Sequence, residues 1–168
     1  KEYRNLAEYL YELRQVDRSM EFYHQAVELG EKIQNRWDHV EVREQIALAY
    51  DAMGNIRRAE EMLKEAVEYY EKALGLREQI LGKVSSIKNR RAVAVSCYRL
   101  GEYYRIENEY EKAAEFYGRQ QALILQLAKE DTATDWRRDL MISYGALGDL
   151  EVAQHRYDAG MEYLKQGL

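Results

Sequence analysis

Apolar residues recur along this chain at helical spacing, and the whole pattern repeats every 47 residues. The segment around Tyr50, YDAMGNIRRAEEMLKEAVEYYEKAL, returns around Cys97 and again around Tyr144, and an earlier copy starts at Tyr3. A fixed period of this size is typical of a solenoid, in which each unit buries its apolar face against its neighbours. The pattern therefore predicts repeated helical units and disfavours an enzyme.

Two apolar stripes in each unit predict two antiparallel helices joined by a short turn. In the third unit, Leu100 and Tyr104 lie on the first stripe, and Ala113 and Tyr117 lie on the second. The AEEM segment around Glu61, where the second unit should turn, contains no turn-forming residue. The predicted helices span residues 1–13, 17–35, 38–60, 64–82, 86–107, 110–130, 133–154 and 157–168.

The units are expected to form a single array. The chain begins at Lys1, inside the motif of the first unit, and ends at Leu168, inside the second helix of the last, so we expect it to be part of a longer protein. The predicted units cover about residues 1–36, 37–83, 84–130 and 131–168.

Composition narrows the class of protein further. The net charge is −5 and 33% of the residues are charged, with no basic stripe of the kind that nucleic-acid binders carry. No run of 18 apolar residues is present, so we expect no membrane insertion. A single cysteine excludes an internal disulfide framework, and a cytoplasmic location is the default expectation.

A glycine stands at the same place in three of the first helices: Gly54, Gly101 and Gly148. Glycine inside a helix costs about 1 kcal/mol relative to alanine, so the position needs a packing reason. We expect the partner helix to approach closely there through small residues, namely Ser19, Ala66, Ala113 and Gly160. Large residues should fill the space on either side: Leu6, Met53, Leu100 and Leu147 on the first helices, and Tyr23, Tyr70, Tyr117 and Leu164 on the second.

This order of an aromatic residue, Leu, Gly, Ala, Tyr and Ala resembles the tetratricopeptide repeat family over nearly the whole chain. The residues that carry it in the second unit are Tyr50, Met53, Gly54, Ala66, Tyr70 and Ala73. The resemblance implies an all-α fold, an α-solenoid of antiparallel helix hairpins that forms a right-handed superhelix. The units form a long variant, because the usual repeat has about 34 residues. The usual proline after the second helix is also absent, with Glu78 in its place in the second unit.

In this family the first helices line a concave surface, which implies a protein or peptide ligand bound there. The candidate contacts are Arg4, Asn5, Glu8, Tyr11, Asp51, Asn55, Arg58, Tyr98, Arg99, Glu102, Arg105 and Asp149. Tyrosine and arginine are frequent in binding hot spots. The alternative interpretation of this surface is a solvated polar face without a ligand. A clamp for an acidic peptide tail fits poorly, since only Arg4 and Arg99 occupy clamp-like positions.

The remaining motifs predict no catalytic residue, no metal site and no cofactor. The three histidines have no spacing suited to a metal, and Cys97 aligns with core tyrosines, which predicts a buried thiol. His24 should be exposed, and Trp37 and Trp136 should pack between units. Three arginines recur every 47 residues, and we interpret them as structural rather than as a row of anion contacts: Arg43, Arg90 and Arg137.

We therefore expect a protein-interaction scaffold or a regulatory module of a larger signalling protein. The alternative is self-assembly as a homodimer or larger oligomer, through apolar helix faces at the ends of the array. Leu168 is one of the end residues on which that alternative would depend.

Overall fold

The computed structural model describes residues 1–167, so Leu168, the last residue of the predicted final helix, lies outside the described residues. Within that range the chain forms eight helices and no strand, which confirms the all-α prediction. The bounds agree with the predicted ones to within two residues at all but one described helix end. The helices are α1 (Glu2–Glu12), α2 (Val16–Arg36), α3 (Val40–Ala59), α4 (Leu63–Lys83), α5 (Ile87–Ile106), α6 (Tyr110–Glu130), α7 (Arg137–Ala153) and α8 (Tyr157–Gln166).

The exception is the start of α7, which was predicted at residue 133 and lies at Arg137. Polar side chains bind the preceding backbone in a non-helical conformation. Asp131 Oδ1 accepts a bond from the Ala133 N–H at 3.1 Å, and Asp135 Oδ1 accepts one from the Arg137 N–H at 3.1 Å. Such local side-chain bonds compete with helix formation and favour caps and turns.

The turn between the two helices of each pair has the same left-handed backbone conformation. Four non-glycine residues, spaced 47 apart, have φ between 60° and 62°: Arg14, Glu61, Asn108 and His155. In the second pair the Glu61 N–H donates to the Arg58 carbonyl at 3.1 Å, and the Met62 N–H donates to the Arg57 carbonyl at 2.8 Å. This is a Schellman-type cap, which ends a helix by satisfying its last carbonyls. It explains how the AEEM segment turns without glycine or proline.

The chain divides into two compact halves, Lys1–Val84 and Ser85–Leu168, each with two helix pairs. In the N-terminal half α2 packs on α3, and the buried cluster draws residues from both pairs: Ala7, Met20, Tyr23, Val27, Ile46, Ala49, Met53 and Ile56. In the C-terminal half α6 packs on α7, and the buried cluster contains Ala94, Ile124, Leu127 and Trp136. The core of each half therefore lies between consecutive helix pairs. The single continuous array and its right-handed superhelix stay predictions.

The first-helix glycines accommodate a large side chain from the second helix. A Cβ atom added at Gly101 would lie 2.5 Å from Cδ1 of Tyr117, and one at Gly54 would lie 2.6 Å from Cε1 of Tyr70. The rings of Tyr70 and Tyr117, which were expected to fill the space on either side of the glycines, lie directly against the glycines. In the fourth pair partner backbone comes near as well, with the Gly160 carbonyl oxygen 3.2 Å from a Cβ added at Gly148.

Three predicted packing residues are exposed instead: Leu6, Trp37 and Leu164, the last of which is 38% exposed. Leu6 was expected in the core but is 43% exposed, whereas Met53 at the same place is buried in a cluster that includes α2 residues. Trp37 was expected to pack between units, but it lies in extended backbone after α2 and is exposed, with Arg36 over its ring at 5.2 Å. Trp136 is buried as expected, and its Nε1 donates to the Asp131 carbonyl at 3.0 Å.

Candidate functional site

On the first helix of the N-terminal half, Arg4 is held by α3 and by its own helix. Its Nε donates to Gln45 Oε1 at 3.3 Å, and its Nη1 lies 3.8 Å from Glu8 Oε2. Asn5 Oδ1 accepts a third contact from Arg4 Nη2 at 3.4 Å. Arg4 is half-buried while Asn5 and Glu8 are exposed, so the guanidinium is oriented at the surface.

Tyr11 lies on the same helix and is exposed. Tyr23 of α2 is buried beneath this surface. Burial raises the pKa of Tyr23 to about 12, and the nearby Glu8 carboxylate acts in the same direction. The tyrosine therefore stays a neutral hydrogen-bonding group at every physiological pH.

Asp51, predicted as a ligand contact, is buried and has a structural role instead. Arg77 of α4 binds it with both terminal nitrogens, Nη1 donating to Oδ1 at 3.1 Å and Nη2 to Oδ2. The two side chains are only 9% and 11% exposed. Removal of one partner from such a pair leaves an uncompensated buried charge. Asp51 thus links α3 to α4 and is not available to a ligand.

Asn55 and Arg58 are exposed on α3, one helical turn apart. The hydroxyl of Tyr70, which covers Gly54, donates to Asn55 Oδ1 at 2.8 Å. The second helix therefore orients a first-helix side chain that remains accessible to solvent.

In the C-terminal half, the equivalent contact is ionic. The hydroxyl of Tyr117 donates to Glu102 Oε1, while Arg105 donates from Nη2 to Oε2 at 3.2 Å and from Nε to Oε1 at 3.4 Å. Burial, and then the bond to Glu102, raises the pKa of Tyr117. The bond to the same carboxylate raises the pKa of Arg105. Glu102 and Arg105 remain about a third exposed, which leaves an oriented ion pair at the surface.

The other candidates of this half lie around that pair. Tyr98 is half-buried with its ring centroid 6.1 Å from that of Tyr117, and Arg99 is half-buried. Asp149 of α7 is exposed. Within each half, the structure therefore brings together part of the predicted set: Arg4, Asn5 and Glu8 in one, and Tyr98, Glu102 and Arg105 in the other.

Sequence reasoning missed two kinds of residue on these faces. The hydroxyls of Tyr70 and Tyr117 were assigned to packing alone, although their 47-residue spacing matches that of Asn55 and Glu102. Val95 and Ile106 are exposed apolar residues of α5, separated by three helical turns with Glu102 between them. Their helical spacing around Glu102 was the available signal.

Arg43 and Arg90 have side chains only 14% and 15% exposed and bind nearby carboxylates, which favours the structural interpretation for these two arginines, whereas the Arg137 side chain is 89% exposed. Arg43 pairs with Asp38, and Arg90 Nη1 lies 2.5 Å from Glu130 Oε2. Arg137 Nη2 lies 2.7 Å from Asp135 Oδ2, and its hydrogen bonds lower the pKa of Asp135 to about 2.

The structure also shows whether the reactive side chains of Cys97 and His24 are buried or exposed. Cys97 is fully buried and His24 is exposed, as predicted. Burial, and then the charges of Arg57 and Lys72, lowers the pKa of His24. Among the described residues, no three histidine, cysteine, aspartate or glutamate side chains converge as metal ligands would. None of the helices in that range combines the length and apolar character needed to cross a bilayer.

Within residues 1–167, four helix pairs with one turn geometry, three of which pack a large side chain of the second helix on a glycine of the first, define a helical-repeat protein. Two family models, both described as tetratricopeptide repeat, match residues 3–33 and 41–85 in one case and 94–123 in the other. Together they cover well over half of the sequence, and the chain belongs to the tetratricopeptide repeat family. Repeats of this family generally mediate protein–protein interaction and are generally non-catalytic.

Comparison with solved structures supports the same fold. The crystal structure of BtubC (BKLC) from P. vanneervenii superposes on 98% of this chain with a TM-score of 0.72 and 20% sequence identity. This chain spans 60% of the length of that protein. At this identity the likeness concerns the fold alone. A comparison with curated proteins gave no match.

Proposed function

We propose that the chain is a protein-interaction module that holds a peptide or a helix of its partner on the faces of its first helices. The observation that carries the proposal is the Glu102–Arg105–Tyr117 cluster. A charged pair that is oriented by a buried tyrosine and still reaches solvent offers fixed hydrogen-bonding groups to a ligand. Such preorganisation lowers the entropy lost on binding.

The surroundings of the cluster support this function. Val95 and Ile106 supply exposed apolar area on the same helix, and Tyr98 adds an aromatic side chain. In the N-terminal half, Arg4, Tyr11 and Arg58 present comparable groups. Apolar contacts would supply affinity, and the oriented charges would select the partner and its register. The parent protein would use the module as a scaffold or regulatory element in signalling.

The test is quantitative capture from a cell lysate, read by mass spectrometry. The native chain is compared with the Tyr98→Ala, Arg99→Ala double variant on α5. The matched control is Tyr110→Ala, Arg119→Ala, which removes the same residue types from the second helix α6.

A partner that binds the native chain and the α6 control but is lost with the α5 variant supports the proposal. Circular dichroism of each variant checks that the helices are intact. Equal capture by all three chains would contradict binding on the first-helix face.

A further inference from the structure

The first and the last helix both expose large apolar side chains. On α1, Leu6 is 43% exposed and Tyr9 is 57% exposed. On α8, Met161 is 54% exposed and Leu164 is 38% exposed. Adjacent exposed apolar residues on a helix face mark interaction surfaces more often than isolated ones do.

The repeat equivalents of these four residues lie on α2 and α3, where they form the two sides of a packed contact. Leu6 and Tyr9 correspond, one period later, to Met53 and Ile56 of α3. Met161 and Leu164 correspond, three periods earlier, to Met20 and Tyr23 of α2. These counterparts belong to one buried cluster in which none is more than 5% exposed: Met20, Tyr23, Met53 and Ile56. Helix α1 therefore carries one side of this contact, and α8 carries the other.

The Leu164 side chain of α8 is already held in place by α7, the other helix of its pair. Leu164 rests on Gly148, with Cγ 3.0 Å from the position of an added Cβ, much as Tyr70 rests on Gly54. Its base is therefore packed while its outer surface is open. A surface of this kind is ordered before it meets a partner, which lowers the entropic cost of association.

We propose that α8 of one copy packs against α1 of a second copy, with Met161 and Leu164 on Leu6 and Tyr9. The occupant is a second copy because this chain itself carries both sides of a contact that it already makes internally. Such an interface is heterologous, since each copy contributes a different surface. The inference goes beyond peptide binding and uses none of the first-helix candidate residues.

The first experiment is sedimentation velocity of the native chain over about a hundredfold range of concentration, because association follows mass action. The average mass should rise from that of a monomer. Leu6→Asp and Met161→Asp should each weaken association at least about tenfold, since a charge would be buried in an apolar contact. Leu29→Asp, at an apolar site exposed by 45% on α2, is the control and should associate like the native chain.

Mixing the two variants separates a heterologous contact from a symmetric one. An equimolar mixture of Leu6→Asp and Met161→Asp retains one intact interface, between Met161 of the first and Leu6 of the second. It should form a dimer and stop there, which also shows that both variants are folded. A native chain that stays monomeric, a mixture that stays monomeric, or loss of association with only one variant would each overturn the proposal.

Discussion

The second and third helix pairs share one packing arrangement and differ in its electrostatics. In both, a tyrosine ring of the second helix covers a glycine of the first, Tyr70 on Gly54 and Tyr117 on Gly101. In the second pair the hydroxyl donates to the neutral amide of Asn55. In the third pair the equivalent acceptor is the carboxylate of Glu102, which Arg105 also binds.

This difference separates what the fold requires from what the surface presents. The ring and the glycine determine how closely the two helices pack, because neither can change volume without a clash or a void. The hydroxyl only needs an acceptor, and an amide and a carboxylate both satisfy it. The charge of the first-helix face can therefore change from repeat to repeat while the helix pair keeps its geometry.

The largest effect should come from breaking the shared packing. Gly101→Val would place side-chain atoms where the Tyr117 ring lies, with a clash already at Cβ. Overpacking of this kind costs about 1–3 kcal/mol of unfolding free energy. Urea denaturation of the variant and the native chain measures the loss.

Gly118→Val on α6 is the control for this change. Apart from its chain neighbours and the adjacent backbone of α6, no atom lies within 4 Å of a Cβ added at Gly118, so a Cβ fits there without a clash. It should not destabilise the chain, because valine has a better helix propensity than glycine. Equal losses at Gly101 and Gly118 would mean that the tyrosine contact is not the cause.

Removal of the hydroxyl of Tyr117 or of Tyr70 should show how much stability depends on whether the acceptor is charged or neutral. Tyr117→Phe deletes a hydrogen bond to a charged acceptor, and we expect a loss of about 1–2 kcal/mol. Tyr70→Phe deletes a bond to a neutral acceptor and should cost about 0.5–1 kcal/mol. Denaturation curves of the two variants test the order, which would be wrong if Tyr70→Phe proved the more damaging.

The turns of the second and third helix pairs differ less than their tyrosine contacts do. Substitutions in these turns should therefore change stability by smaller amounts. Glu61 and Asn108 both have positive φ, near 60°. Glycine adopts this conformation without steric strain, so Glu61→Gly should stabilise the chain by about 0.5–1 kcal/mol. Asn108→Gly should gain less, because asparagine already tolerates the left-handed region. Thermal unfolding measures both, with Glu60→Gly, at φ −88°, as a control that should lose stability.

The 47-residue period of the sequence was enough to predict the fold. Much of the candidate site, however, depends on long side chains that reach a neighbouring helix. Helix positions followed from the spacing of Leu100, Gly101 and their equivalents. The burial of Asp51 did not follow from the sequence spacing. Its partner Arg77 lies 26 residues away, and no periodic pattern marks this pair. Arg4 likewise reaches Gln45, 41 residues away on another helix. Sequence spacing indicates which residues share a helix face, whereas such cross-helix bonds depend on the packed backbone.

A further expected effect is a loss of stability in alkali, which tests the buried Tyr23 and the half-buried Tyr50 of the N-terminal half. Burial raises the pKa of Tyr23 and of Tyr50 to about 12, with Glu8 and Glu31 nearby acting in the same direction. Unfolded tyrosine ionises near pH 10, so above that pH the folded chain binds more protons than the unfolded chain. Stability should therefore fall as pH rises from about 10 to about 12.

Tyr23→Phe should flatten this fall, because the group that titrates is removed. Tyr157→Phe, at an exposed position of α8, is the control and should leave the pH dependence as it is in the native chain. Urea midpoints measured across this pH range compare the three chains. A slope that is identical in all of them would contradict the assignment to Tyr23.

The unequal burial of the two tryptophans provides an optical probe for one half of the chain. Trp136 is buried and hydrogen-bonded in the C-terminal half, whereas Trp37 in the N-terminal half is exposed. Exposure of an indole to water shifts its emission to longer wavelength, and Trp37 is already in contact with solvent. The red shift on unfolding should therefore come from Trp136, while circular dichroism follows the helices of both halves. Unmodified protein is thus sufficient to find out whether the halves melt together or one after the other.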